Sequence, residues 1–250
     1  MSNIKVSITS HIFNESNMLP FYFDHYKSKF KDPTFIIYNN MSTDNSKQIC
    51  LDHGATVVDF NTNGEISHEK YQDIKNNSWK NSKIDWQIVC DTDELIFVDQ
   101  DDLDYFNKKG ITVPKFKGYQ AVPLVDYKDI PNPHTIEFYK NITHGVHSNP
   151  YSKYYMFNKA KVNVKYFPGA HKATITGKKK FSDKEYIAMH YHAVDPVQKY
   201  NKYLRNSKVL SKKSKQSGLG KHYSDHVSTL EKHINNYIAM QKSARVQKLL

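Results

Sequence analysis

The chain has 250 residues, 38% of them hydrophobic and 13% aromatic, which is ample for a sizeable core and too apolar for a disordered chain. It has no 18-residue apolar run, so no transmembrane helix is expected, and Met1–Val6 enters a strand-like pattern without a signal-peptide core, so a cytoplasmic location is expected. Of the net charge of +11, all but one unit falls in residues 196–250, where twelve Lys or Arg face two acids, so the nearly neutral body is a poor nucleic-acid binder and the excess is a property of the tail.

In chain order, Ile4–Ile8 reads as a strand. Leu19, Tyr22, Phe23, Tyr26 and Phe30 recur at helical spacing, with Pro20 near the helix start. Thr34–Tyr38 reads as a second strand. Ser42-Thr43-Asp44 can cap a helix that runs through Ile49 and stops near Gly54. Thr56–Phe60 is a third strand, a polar helix spans about Ser67 to Asn81, and Trp86–Cys90 is a buried fourth strand. This alternation predicts a parallel sheet covered by helices.

After Val98 the pattern changes. Asp99–Asp104 is expected to cap a short helix. Strand-like runs follow near Thr112–Phe116, Tyr119–Val125, Tyr154–Asn158 and Val162–Phe167, and Pro131–Pro150 reads as loop. Ala188–His192 is extended. Helical segments are expected near Val197–Leu210 and His222–Leu250, with a hinge at Ser211–Gly220. Cys50 and Cys90 fit buried reduced thiols better than a disulfide framework or a zinc site.

The chemistry concentrates where strands end, the rim at which open parallel sheets collect ligands. Three polar segments meet this condition: His11–Glu15, Asn39–Asp44 and Asp91–Glu94. Asp91 and Asp93 would face one ligand if the strand extension continued past Cys90. Three adjacent acids at the mouth of an apolar strand call for a positive partner, and a divalent metal with a substrate diphosphate would supply it.

These segments resemble those of GT-A fold glycosyltransferases, closest to family-2-like and family-92-like members. The resemblance covers about Ile4 to Arg205. It rests on Ser10–Glu15, Tyr38–Asp44, Val89–Glu94, and His190-Tyr191-His192 leading into Tyr200-Asn201-Lys202. It implies a GT-A domain over 1–195, with a nucleotide-binding half at about 1–98 and an acceptor half at about 99–195, followed by a basic helical tail at 196–250. It implies a metal-dependent, inverting transfer of sugar from a nucleotide-diphosphate donor, a UDP-sugar being favoured, to a saccharide or lipid-linked acceptor, with Mn2+ or Mg2+ as cofactor.

By the same resemblance, Glu15 lies by the nucleotide base and ribose, beside His11. Asn40 and Asp44 touch the nucleoside, although Asn39-Asn40 stands where family-2 members usually carry Asp. Asp91 and Asp93 form the Asp-x-Asp pair that binds ribose and the diphosphate-bound metal, and His190 or His192 completes the metal site. The general base is sought downstream, with Asp126 favoured over Glu137, Asp183 and Glu185. Lys172 and Lys178–Lys180 could neutralise a diphosphate or form an ordinary basic turn. His144, His147 and His171 could face the acceptor.

Alternatives are a non-catalytic nucleotide-sugar or glycan-binding module of the same fold, and a nucleic-acid binder acting through the tail. The tail's apolar positions (Val197, Tyr200, Leu204; Val227, Leu230, Ile234, Tyr237, Ile238) fit packing on the core or on a second subunit, as in a homodimer, and also peripheral contact with a membrane.

Overall fold

Strand β1 (Val6–Ile12) is buried at six of its seven positions, as a strand covered on both faces must be. The computed structural model, which describes residues 4–219 and 229–250, places it at the centre of the main sheet. From β1 the chain runs through α1 (Leu19–Lys29), β2 (Thr34–Asn39), α2 (Ser46–Asp52), β3 (Thr56–Asp59) and α3 (His68–Asn77) to β4 (Trp86–Val89). Then come β5 (Glu94–Ile96), α4 (Gln100–Lys109), β6 (Val113–Val122), α5 (Ile136–Lys140), β7 (His144–His147) and β8 (Met156–Asn158). The order closes with β9 (Val162–Tyr166), β10 (Ala173–Gly177), β11 (Phe181–His190), α6 (Pro196–Lys208), α7 (Lys212–Gln216), α8 (Leu230–Gln241) and β12 (Gln247–Lys248).

The main sheet has the order β3-β2-β1-β4-β8, with every pair parallel except β4 with β8. A second sheet, β12-β7-β6-β11-β5, carries one parallel pair, β6 with β11. Strands β9 and β10 form an antiparallel ribbon. This is the mixed α/β arrangement with a mostly parallel central sheet that the sequence predicts. After β1 the chain builds β2 and β3 on one side and then returns to place β4 on the other. The carboxyl ends of β1 and β4 are therefore a topological switch point, where the flanking loops diverge and leave a crevice.

Helix α1 buries Leu19, Tyr22, Phe23 and Tyr26, as read from the sequence, together with Phe21, and starts with a proline in its first turn. Helix α4 begins at a reciprocal capping box between Asp99 and Asp102 and ends at Gly110, whose φ of 67° only glycine adopts freely. Several expectations change: the expected hinge Ser211–Gly220 carries α7, and the helix expected to reach Leu250 stops at Gln241 before β12. Strand β6 runs unbroken through Gly118, where the sequence suggested two strands. The glycine marks a close approach instead: a Cβ there would lie 2.1 Å from the Tyr151 carbonyl carbon. The segment 131–150 contains α5 and β7 rather than loop alone. Thr135 caps α5, its side chain accepting from Phe138 N, and β7 pairs with β6.

The described part of 196–250 packs on the body. Tyr237 Oη donates to Val125 O at 2.8 Å, Gln241 Nε2 donates to Pro123 O at 2.7 Å, and β12 extends the second sheet. Val227 and the first residues of the expected His222–Leu250 helix lie outside the described residues. Cys50 and Cys90 are buried and free. Among the described residues no helix is long and apolar enough to cross a membrane.

Candidate active site

The loop after β1 is stitched to the loop after β2. Asn14, at a φ of 58°, accepts from Thr43 N at 2.8 Å through Oδ1, and Glu15 N donates to Ser46 Oγ at 2.8 Å. Asp44 serves the same seam. Its carboxylate accepts from Ser46 N at 3.0 Å and Ser16 N at 3.2 Å. Burial pushes the Asp44 carboxyl up, but these bonds reverse that and leave it below its usual range. Asn40 is likewise a strut. Its Nδ2 donates to Glu65 O and Tyr71 Oη, and its Oδ1 accepts from Thr62 Oγ1 at 2.9 Å. Both residues shape the rim, and neither lines the cleft.

The cleft, of about 570 Å³, opens at the switch point. Strand β4 stops at Val89, so Asp91 and Asp93 sit on a turn into β5 rather than on continued strand, and both still line the cleft. The turn is fixed from β11, where Tyr191 N donates to Asp93 O at 2.7 Å and His190 is in register with Glu94. The positive partners of this cluster are lysines. Lys75 Nζ lies 2.8 and 2.9 Å from the two Asp91 oxygens. Lys202 Nζ bridges Glu15 Oε1 at 2.8 Å and Asp93 Oδ2 at 3.5 Å. Lys153 pairs with Glu94, and both are almost completely buried.

These pairings fix ionisation. Burial alone would raise Asp91, but Lys75, then His11 and Lys153, hold it well below the usual carboxylate range. Asp93 follows the same logic, with burial overcome by Lys202 and His190. Glu15 differs, since burial outweighs Lys202 and its pKa is raised. Burial, reinforced by Lys75, lowers His11 to about 4, so its ring is neutral. That ring packs against Tyr71, tilted by 30°, with 4.1 Å between centroids.

Two helices complete the walls, each with a stripe at the i, i+3, i+4, i+7 spacing of one helix face. From α3 these are His68, Tyr71, Gln72 and Lys75, and from α6 they are Lys199, Lys202, Tyr203 and Asn206. Ser67 caps α3, its side chain accepting from Lys70 N, and Asp195 caps α6 by accepting from Val197 N at 2.8 Å and Gln198 N at 3.1 Å. Lys75, Lys153, Lys199 and Arg205 were not singled out from the sequence, although the helical spacing of the two polar stripes was there to find. His190 and His192 both line the cleft, because the strand ends at His190 and alternation ends with it. Their rings stack at 4.2 Å, and burial, then His190, holds His192 well below its ordinary value.

The structure thus brings together His11, Glu15, Asp91, Asp93 and His190. It does not bring in Asp126, which caps an exposed turn by accepting from Lys128 N at 2.9 Å. Glu137, Asp183 and Glu185 are also exposed and outside the cleft, as are Lys172 and Lys178–Lys180. Of the acceptor-side histidines, His171 lines the cleft, and His144 and His147 do not. Among the described residues no group of three or more His, Cys, Asp or Glu is arranged to hold a metal ion. Asp93 Oδ1 and His190 Nε2, 3.5 Å apart, are a carboxylate–imidazole pair. The pair would supply one oxygen and one nitrogen ligand to a divalent ion, the remaining positions falling to substrate phosphates and water.

No protein-family model matches this chain, and no curated protein matches it. Among solved structures it is similar to S. aureus TarS 1–349, at 13% identity over 95% of this chain and 80% of that chain, with a TM-score of 0.43. The same protein in complex with UDP gives 14% identity over 92% and 77%, with a TM-score of 0.43. Glucosyl-3-phosphoglycerate synthase from Mycobacterium tuberculosis, in complex with Mn2+, UDP and glucosyl-3-phosphoglycerate, gives 16% identity and a TM-score of 0.33. That match spans 47% of this chain and 44% of the synthase. Likeness of this order assigns neither activity nor ligand to this chain.

Proposed function

We propose that this chain is a glycosyltransferase of the GT-A type that transfers a sugar from a nucleotide-diphosphate donor, a UDP-sugar, to a saccharide or lipid-linked acceptor. One observation carries the reading. Asp91 and Asp93 meet His11, Glu15 and His190 at the switch point between β1 and β4, with Lys75 and Lys202 among them. The sequence resemblance puts the donor at the same place.

In this reading the packed His11 and Tyr71 rings form the wall against which the nucleoside sits. Asp91, kept ionised by Lys75, accepts from ribose hydroxyls. Lys202 and Arg205 face the diphosphate, and Lys202 remains tethered by Glu15. Asp93 and His190 are the residues that would hold Mn2+ or Mg2+. When bound, such an ion supplies Lewis-acid neutralisation of the departing diphosphate. The reading gives no role to Asp126, which is exposed and outside the cleft.

A melting screen tests the proposal. UDP or a UDP-sugar with Mn2+ should raise the melting temperature, since a ligand at 100 times its Kd adds about 2.7 kcal/mol. Uridine, which lacks the diphosphate, should give little. No shift with any nucleotide diphosphate, or equal shifts with uridine and UDP, would overturn it.

A further inference from the structure

Residues 138–182 contain nine lysines and neither Asp nor Glu. Two of the nine are used internally: Lys140 pairs with Asp24 at 2.9 Å, and Lys153 pairs with Glu94. The other seven lie on or beside the β9–β10 ribbon, and none forms an ion pair among the described residues. The inner face of the ribbon is anchored, with Val162, Val164 and Tyr166 buried against Trp79 and Phe157. Its outer face is exposed. One edge reads Lys161, Asn163, Lys165, Phe167 and the other Lys178, Thr176, Thr174, Lys172.

The register makes this face a track. Lys165 lies opposite Thr174, and Asn163 opposite Thr176. Phe167 N bonds to Lys172 O at one end, and Lys178 N bonds to Lys161 O at 2.8 Å at the other, which sets two lysines against each other. Like charges directly opposite one another destabilise a strand pair. An anion laid across them removes that repulsion. The face is about 20 Å long, at roughly 3.3 Å per residue. It leads into the cleft, because Phe167, Gly169, Ala170 and His171 follow β9 and line the cleft mouth.

We infer that the outer face of the β9–β10 ribbon binds an anionic saccharide chain, bearing phosphodiester or carboxylate groups, and leads it to the cleft as the acceptor. The inference rests on the glycosyltransferase reading for the word acceptor, and on charge and register for the surface. Between the lysines stand an amide and two hydroxyls, groups that suit sugar hydroxyls. Phe167, 49% exposed, is the single aromatic on this face and stands at the cleft end. A membrane-docking face would carry several apolar anchors. A single-stranded nucleic-acid groove would carry successive stacking platforms.

The test uses the intact chain and labelled probes: an alginate oligomer, a glycerol-phosphate oligomer, neutral dextran, single-stranded RNA and anionic phospholipid vesicles. Binding to at least one of the first two, absent for dextran, is expected. The two oligomers separate the carboxylate source from the phosphodiester source. The triple variant K165S/K172S/K178S should lose at least about tenfold in that affinity, while its UDP-induced melting shift stays as in the parent. A control variant that removes the same charge elsewhere, K31S/K128S/K232S, should retain the affinity. Equal binding of dextran, full affinity in the ribbon variant, or preferential binding of RNA or vesicles would overturn the inference. A chain that keeps the UDP response but shows any of these outcomes loses the track and keeps the donor site. A chain that binds the anionic oligomer through these lysines and ignores UDP loses the donor site instead.

Discussion

Replacing Asp93 with alanine should lower the Mn2+-dependent affinity for UDP by about 100-fold, the order expected when a charge-bearing contact or metal ligand is removed. Asp93 faces both His190, at 3.5 Å, and Lys202, at 3.5 Å. Without it His190 has no partner for a shared cation. Lys202 loses its contact with Asp93 and keeps its 2.8 Å contact with Glu15. The ligand-free fold should survive, because Asp93 lies half-buried on a turn at the cleft rather than in the core, and its removal relieves repulsion with Glu15, a repulsion that contributes to the raised Glu15 pKa. Titration calorimetry of the variant checks this. Unchanged metal-dependent affinity would exclude Asp93 from the donor site. A large loss of ligand-free stability with affinity retained would make it a structural residue.

The largest effect on stability should come from Lys153→Met. Glu94 is 2% exposed and Lys153 6% exposed, and each is the other's ion partner. Removing the ammonium strands a buried carboxylate, which costs about 3–5 kcal/mol. For a chain of this size that is a fall in melting temperature of roughly 10 °C. Adding Glu94→Gln should restore more than half of the loss, because the stranded charge is gone. UDP affinity should fall as well in the single variant. Glu94 Oε2 accepts from Asp91 N at 3.5 Å, and Glu94 N bonds to Asp91 O at 3.0 Å, so the pair helps to hold the Asp91–Asp93 turn. A single variant that melts like the parent would contradict this account of the pair.

The sequence announced the sheet because its strands are short runs rich in apolar and β-branched residues, with Val6, Ile8 and Ile12 on one face of β1 and Trp86 and Ile88 on one face of β4, and because Leu19, Tyr22, Phe23 and Tyr26 of α1 recur at helical spacing. It announced the rim because polar residues at strand ends fall together whatever the intervening helices do. It did not announce the lysines. Lys75 lies on a mostly polar helix, and only the spacing of His68, Tyr71, Gln72 and Lys75 hints at a wall. The need for a positive partner at Asp91–Glu94 was legible. That Lys75, Lys153 and Lys202 meet it required tertiary placement, since they come from α3, from the segment before β8 and from α6. The resemblance sets Asn40 and Asp44 beside the nucleoside; in the fold both bond the rim, and in a sequence a turn residue that bonds its own loop looks the same as one that bonds a ligand. The pattern splits β6 between Phe116 and Tyr119 because a sequence does not show a second backbone passing over a strand at Gly118.

The account's central claim is that one cleft, at the carboxyl ends of β1 and β4, receives a nucleotide diphosphate through these side chains. A crystal structure of the chain soaked with UDP and Mn2+ tests it most directly. The predicted result is a diphosphate beside Lys202, a metal peak at Asp93 and His190, and the nucleoside over His11 and Tyr71. A nucleotide bound outside this cleft, or a diphosphate held instead by the lysines of the β9–β10 ribbon, would contradict it.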